Sequence, residues 1–297
     1  MLSMKYKGYL IAIIVSLVYS LWYLLSGFLI HMAPKAPPIF PLMLIEGVSA
    51  IIVFVLAGGR FKTEKLSDLK YPVLSSIMYT LGNYLFYVVI ANSGVPSASA
   101  FSTSEIVIFT LLIWLSTRRD INMSMYSFAS VIIAAGLVLE SLIVQNGVYL
   151  INITLVSLGI LIAAFYGLAT YLFYLSVKHI KSTLTTMFFV QAPQAAIYAV
   201  SLLLFVPISS IPTLTYTYAL LAAIIGAVLF VSFYGENMMM KILNRAGKGA
   251  VTTGYILSDM QLIPIVVYYL IVNPSAWMTY APGLLLVTLG LAMLDWR

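Results

Sequence analysis

The chain has 297 residues, of which 62% are hydrophobic and 8% charged, and its formal net charge is +6. Soluble domains carry about 25% charged residues, so this composition excludes an ordinary soluble fold and predicts an all-α integral membrane protein. The absence of cysteine excludes disulfides and thiolate metal sites.

Apolar segments follow one another along the whole chain, and ten of them are long enough to cross the hydrocarbon core, which needs about 20 residues. Breaks such as Pro37-Pro38 and Gly58-Gly59 separate them. The first apolar run is too long for a cleaved signal, so we interpret it as a retained helix. The predicted transmembrane helices cover residues 8–30, 39–58, 71–91, 95–116, 123–143, 152–177, 183–206, 214–240, 248–271 and 277–295.

The basic residues are segregated between the two faces that this topology defines. With ten crossings, 14 of the 15 Lys and Arg residues lie on one face and only Lys35 lies on the other. The positive-inside rule then predicts that both termini are cytoplasmic, in a multi-pass protein of the cell membrane. The positive charge is a topology signal with a minor contribution from lipid headgroups, so no nucleic-acid partner is expected.

The chain divides into two predicted units of five helices, residues 1–147 and 148–297. An odd number of crossings makes the second unit enter from the opposite face, which predicts a five-plus-five inverted-topology repeat. The fourth helix of each unit begins with glycine and small polar residues and then carries an acid, Glu105 or Asp259, near mid-membrane. A charge at that depth costs about 3 kcal/mol or more, which favours a functional role.

The same segments carry a family resemblance. GVPSASAFSTSEIVIFTLLIWL, which begins at Gly94, and the later IIAAGLVLE resemble the EamA-type module of the drug/metabolite transporter superfamily. GKGAVTTGYILSDMQLIPIVVYYL and PGLLLVTLGLAML resemble its second copy. Such proteins often have proline directly after the mid-helix acid, whereas Ile106 follows Glu105 here. The resemblance implies transport without naming a cargo.

Glu105 and Asp259 are the main candidates for proton coupling or for recognition of a cationic substrate. The alternative for each is a packing role, as a protonated carboxyl bonded to a neighbouring helix. A central cavity is expected between the first, third, fourth, sixth, eighth and ninth helices. The other candidates for substrate binding or coupling are Asn83, Tyr79, Ser102, Tyr19, Tyr166, Gln191 and Glu46.

Each of these residues also has a purely structural interpretation. Buried amides such as Asn83, Asn92 and Gln191 can line a pocket or join helices. Glu46 can stand at an entrance or snorkel to the interface. The tyrosines can line a cavity or belong, as we expect for Trp22, to the interface belt.

Two further acids are expected near water. Glu140 is predicted to be solvated at the outer end of the fifth helix. Glu236 is predicted to be an interfacial charge, with an ion pair to Lys241 as the alternative.

The function predicted from the sequence is secondary transport of a small metabolite, amino acid or drug-like solute by alternating access, with proton coupling or exchange. The alternative is an uncoupled channel-like facilitator or a lipid-handling protein. The chain has no HExxH, G-x-S-x-G or complete P-loop, so we expect no enzymatic activity, metal or cofactor. The expected partners are a small-molecule substrate, lipids and protons, and a homodimer is left open.

Overall fold

The computed structural model describes residues 3–62, 65–117, 123–145, 148–212, 214–246, 250–272 and 277–294. Within these residues seven helical runs are long and apolar enough to cross a membrane. Large apolar side chains face outward, with Leu203, Phe205 and Ile271 exposed by 83%, 78% and 75%. An apolar surface of this kind suits lipid rather than water. The architecture is that of an all-α membrane protein.

The helices follow one another with short connections, and several begin with a side-chain cap. Asn152 accepts a hydrogen bond from the Leu155 N–H, and Ser182 accepts one from the Thr185 N–H. In chain order they are α1 (Met4–Met32), α2 (Ile39–Leu56), α3 (Lys70–Thr103), α4 (Glu105–Thr117), α5 (Met123–Glu140), α6 (Ile153–His179), α7 (Thr183–Phe205), α8 (Tyr216–Ala246), α9 (Ala250–Ser258), α10 (Leu262–Val272) and α11 (Trp277–Leu294).

A small hairpin lies at the middle of the chain. Strands β1 (Leu142–Gln145) and β2 (Val148–Ile151) pair antiparallel, with Leu142 opposite Ile151. The predicted boundary between residues 147 and 148 falls within this hairpin, next to residues 146–147, which are outside the described part. The sequence predicted a loop between the fifth and sixth helices, and the structure forms that loop as a hairpin.

Two of the predicted crossings are interrupted. The fourth predicted crossing breaks at Ser104, between α3 and α4, and the ninth breaks at residues 259–261, between α9 and α10. The run Leu66–Ser116 has 51 residues, more than twice the length of one crossing. It also bends at Gly94, between the third and fourth predicted crossings, with φ 87° and ψ 171°. The count of ten crossings stays a prediction.

Helices from the first half of the chain pack mainly against helices from the second half. The most extensive pairs are α3 with α6, α1 with α8, α5 with α11 and α2 with α7. Glycines allow very close approach, since a Cβ on Gly136 would lie 2.8 Å from the Gly283 carbonyl oxygen. The interior of the bundle is therefore the interface between the two halves.

Two contacts involve basic segments of the chain. The Lys62 N–H donates to Thr185 Oγ1 over 3.1 Å, and the Lys241 ammonium donates to the Lys181 carbonyl over 2.6 Å. The first contact joins the two halves of the chain, and the second lies within the second half. The basic residues Arg118, Arg119, Lys248 and Arg297 lie outside the described residues.

Candidate functional site: a central cavity between the two halves

A cavity of about 40 Å³ lies in the middle of the bundle, among the same six segments expected from the sequence. This volume holds a few water molecules. It is far below the 300–1,000 Å³ of a typical pocket for a drug-sized ligand. The lining residues are Tyr19, Trp22, Tyr23, Tyr79, Asn83, Glu105, Tyr166, Leu229, Phe233, Tyr255, Asp259 and Gln261.

Glu105 begins α4 and is held by side chains from the second half of the chain. The Tyr255 hydroxyl of α9 donates to Glu105 Oε1 over 2.5 Å, and the Thr170 hydroxyl of α6 donates to Oε2 over 3.3 Å. Tyr79 contacts Thr170 over 2.9 Å and extends the network to α3. Both carboxyl oxygens of Glu105 are therefore occupied by protein donors.

Serine hydroxyls bond locally along the stretch that leads to Glu105. Ser99 donates to the Pro96 carbonyl over 2.7 Å, Ser102 to the Ser99 carbonyl over 3.0 Å and Ser104 to the Ala100 carbonyl over 2.8 Å. Such bonds to the preceding turn bend and weaken a helix. They satisfy the hydroxyls within the membrane and coincide with the break before α4.

Asp259 and Gln261 lie in the break between α9 and α10. Asp259 Oδ2 and Gln261 Oε1 are buried without a hydrogen-bond partner, although the Gln261 amide donates to the Tyr23 hydroxyl over 3.0 Å. Ser20 of α1 donates to the Gln261 carbonyl over 2.9 Å. The interrupted backbone is thus anchored to α1, while two acceptor atoms are left free.

Two tyrosines make corresponding bonds on the two sides of the cavity. Tyr19 of α1 donates to Glu236 Oε2 of α8 over 2.6 Å. Tyr166 of α6 donates to Asn83 Oδ1 of α3, also over 2.6 Å. Each bond joins a helix of one half to a helix of the other, and each lies at the edge of the cavity.

A chain of polar groups leads from the cavity toward α2. The amide of Asn83 donates to Glu46 Oε1 over 3.2 Å and to Gln194 Oε1 over 3.1 Å. Glu46 is fully buried, and its second oxygen has no partner. Glu46 is therefore two hydrogen bonds from Tyr166, which lines the cavity.

The cavity is acidic and aromatic. Glu105 and Asp259 line it, and the buried Glu236 accepts a hydrogen bond from Tyr19, which also lines it. None of the lining residues that the structure describes is Lys, Arg or His. In the described residues no group of three or more His, Cys, Asp and Glu is arranged to hold a metal ion.

The structure brings together six of the nine predicted site residues around the cavity: Glu105, Asp259, Asn83, Tyr79, Tyr19 and Tyr166. Ser102 lies behind this layer, 2.8 Å from the Tyr23 hydroxyl. Glu46 is outside the cavity and connected through Asn83. Gln191 is buried outside the cavity, and its amide has no partner among the described residues.

The expected exposure of two acids is wrong. Glu140 is buried because α11 covers the end of α5. It accepts a hydrogen bond from Ser97 of α3. Glu236 is buried under Tyr19, while Lys241 bonds to Lys181 and Thr183 instead. These acids were placed by their distance from a loop, which does not reveal the helices packed around them.

Three side chains face differently from the expectation. Glu46 does not snorkel, since it is fully buried against Asn83. Trp22 is not an interface aromatic, because it is buried, lines the cavity and stacks on Phe86 with ring centroids 5.4 Å apart. Asn92 is exposed and donates to the Val88 carbonyl.

Sequence reasoning missed Tyr255 and Gln261 as site residues. Tyr255 precedes Asp259 by four residues and therefore lies one helical turn away, on the same face. Gln261 follows Asp259 by two residues, which would place it elsewhere on a continuous helix. Only the break between α9 and α10 brings it to the cavity. The sequence therefore contained a signal for Tyr255 but none for Gln261.

Neither a protein-family model nor a curated protein matches this sequence. A solved structure described only as a crystal structure of a protein is similar, with a TM-score of 0.63 and 14% sequence identity. The similarity covers 97% of this chain and 95% of the other. At this identity the likeness shows a shared fold over nearly the whole chain.

Proposed function

We propose that this protein is a secondary transporter of the drug/metabolite transporter type, which moves a small solute across the cell membrane by alternating access. The observation that carries the proposal is that the side-chain bonds around the cavity join the two halves of the chain. Glu105 is held by Tyr255 and Thr170, Asn83 by Tyr166, and Glu236 by Tyr19. Rocking of one half against the other breaks such bonds and opens the cavity.

The proposal includes ten crossings arranged as an inverted repeat, with cytoplasmic termini. Exchanging the halves turns the pair α1–α8 into the pair α6–α3, and these are two of the most extensive helix contacts. The same exchange relates the Tyr19–Glu236 bond to the Tyr166–Asn83 bond. Interrupted helices at the site, here at Ser104 and at residues 259–261, are common in secondary transporters.

Within this mechanism Glu105 and Asp259 serve coupling and recognition. They are the two acids that line the cavity, and no lining residue in the described part is basic. Buried carboxyls without a basic partner suit a site that exchanges a proton for a cargo. The proposed cycle therefore includes proton coupling or exchange.

The test uses purified protein in liposomes that contain an internal pH dye. A pooled library of amines, amino acids and small metabolites is added, with empty liposomes as the background. We expect cargo-dependent proton flux in the wild type and its loss in Glu105→Gln. Glu140→Gln is the matched control, because it removes a buried carboxyl that bonds to Ser97 outside the cavity.

Cargo movement without proton flux, unchanged in Glu105→Gln, would support the uncoupled facilitator and make Glu105 structural. Absence of any cargo movement in the wild type would contradict transport itself.

A further inference from the structure

The unpartnered polar atoms of the residues that line the cavity are mostly acceptors. Asp259 Oδ2 and Gln261 Oε1 have no partner, while the indole N–H of Trp22 is the unpartnered donor among the lining residues described. Asp259 and Gln261 are each only 3% exposed. A buried acceptor without a partner costs about 1–3 kcal/mol, so a ligand that donates hydrogen bonds there is favoured.

The two acids that line the cavity are not equally available. Both oxygens of Glu105 accept bonds, from Tyr255 and from Thr170. Asp259 also lines the cavity and retains an unpartnered oxygen, and no lining residue in the described part is basic. Asp259, rather than Glu105, is therefore the carboxyl that can receive a positively charged donor.

Aromatic rings surround this position. Tyrosine, tryptophan and phenylalanine supply seven of the lining side chains: Tyr19, Trp22, Tyr23, Tyr79, Tyr166, Phe233 and Tyr255. The faces of such rings attract cations, and this attraction strengthens when water is excluded. The rings and the Asp259 carboxyl therefore both favour a positively charged ligand.

We propose that the cargo is a small protonated primary amine, whose ammonium group binds to Asp259 and Gln261. This assignment rests on the proposed transport function. A primary ammonium has three N–H donors and no acceptor, which matches the free acceptors. A quaternary ammonium has no N–H and leaves both acceptors unpaired. An amino acid brings a carboxylate, for which the described lining offers no basic partner.

The test measures binding to the purified protein by isothermal titration calorimetry at pH 7. The probes share an n-butyl chain: n-butylamine, n-butyltrimethylammonium, norvaline and pentanoate. We expect n-butylamine to bind at least about tenfold more tightly than each of the others, since each lacks a donor or adds an unpaired carboxylate. Asp259→Asn is expected to weaken n-butylamine binding about tenfold, and Glu140→Gln to leave it unchanged.

Equal or tighter binding of n-butyltrimethylammonium would overturn the primary-amine assignment, as would tighter binding of norvaline. Binding of none of the four probes would also overturn it. The comparison of probes on the unaltered protein keeps the proposal testable even if Asp259→Asn does not fold.

The two proposals can fail separately. If n-butylamine binds selectively but the liposome assay shows no transport of any solute, the amine site stands and the transport function fails. If another solute is transported and n-butylamine does not bind, transport stands and the amine assignment fails.

Discussion

At the scale of single residues, the bond between Tyr255 and Glu105 is the shortest link between an acid of the first half and a helix of the second. The phenol also lies 3.0 Å from the Thr170 hydroxyl, and its ring packs against Phe109 with centroids 4.5 Å apart. The ring holds the hydroxyl in place. Removal of the hydroxyl alone therefore changes the hydrogen bonding with little change in packing.

Tyr255→Phe tests this link. It leaves Glu105 Oε1 without its donor, and we expect the free energy of unfolding to fall by about 1–3 kcal/mol. Thermal unfolding in detergent measures the loss, and the liposome assay is expected to show reduced transport.

Tyr126→Phe is the matched control for that substitution. Tyr126 is partly buried, and its hydroxyl donates to the Val107 backbone carbonyl over 2.8 Å, outside the cavity lining. Its loss is expected to cost about 1 kcal/mol and to leave transport unchanged. Equal effects of the two substitutions on transport would contradict a special role for the Tyr255–Glu105 bond.

The residue scale also shows how far sequence reasoning reaches. Glu105 and Asp259 could be found because an acid inside a long apolar run is costly. Trp22 was assigned to the interface because tryptophan is enriched there, and residue type alone does not separate that position from a cavity wall. Glu140 and Glu236 were misplaced because their depth depends on which helices cover them.

At the scale of elements, the bend of α3 depends on Gly94. Its φ of 87° lies in the left-handed region, where a Cβ is unfavourable. A Cβ there would meet nothing closer than Pro96 Cδ at 3.6 Å, so the cost of a substitution is in the backbone rather than in packing.

Gly94→Ala is therefore expected to destabilise the protein by about 1–2 kcal/mol. Gly47→Ala is the control, since Gly47 lies inside α2 without a positive φ and a Cβ there would meet nothing within 4 Å. The control is expected to be neutral or to stabilise α2 by up to about 1 kcal/mol. Thermal unfolding of both variants decides, and equal stability would contradict the strain at Gly94.

Gly167 determines how closely α6 approaches α4. A Cβ on this residue would lie 2.8 Å from the Glu105 carbonyl oxygen and 2.5 Å from Ile108 Cβ. Gly167→Ala must move α6 away and displace Glu105, so we expect transport to fall about tenfold or more. The liposome assay measures this loss.

Gly136→Ala provides the comparison for a helix contact away from the cavity. Its Cβ would lie 2.8 Å from the Gly283 carbonyl oxygen, so α5 and α11 are equally close. Both variants are expected to lose stability, but only Gly167→Ala is expected to lose transport beyond its effect on the amount of folded protein. A similar loss in both would show that packing in general, rather than the position of Glu105, limits transport.

At the scale of the whole molecule, the sequence was most informative where its signals were repeated. Basic loops from both halves were expected on one face, and the contact of Lys62 with Thr185 joins two of them. The breaks at Ser104 and at residues 259–261 were not foreseen, because the polar residues there were interpreted as site residues within continuous helices. Hydropathy reports whether a segment is buried in the membrane, not whether its helix is continuous.

The orientation of the molecule in the membrane gives the final prediction. The chain has no cysteine, so single cysteines can be introduced without removing any. Lys35, Lys62 and Lys178 are exposed, and the last two come from different halves of the chain. The positive-inside rule places Lys62 and Lys178 in the cytoplasm and Lys35 outside.

A membrane-impermeant maleimide is expected to label Lys35→Cys in intact cells, and to label Lys62→Cys and Lys178→Cys only after permeabilisation. Labelling of all three from outside would contradict the membrane topology. If Lys62→Cys and Lys178→Cys were labelled from opposite sides, the inverted repeat would be wrong, because inversion is what brings loops of both halves to one face. A reversed but consistent pattern would keep the repeat and overturn the cytoplasmic termini.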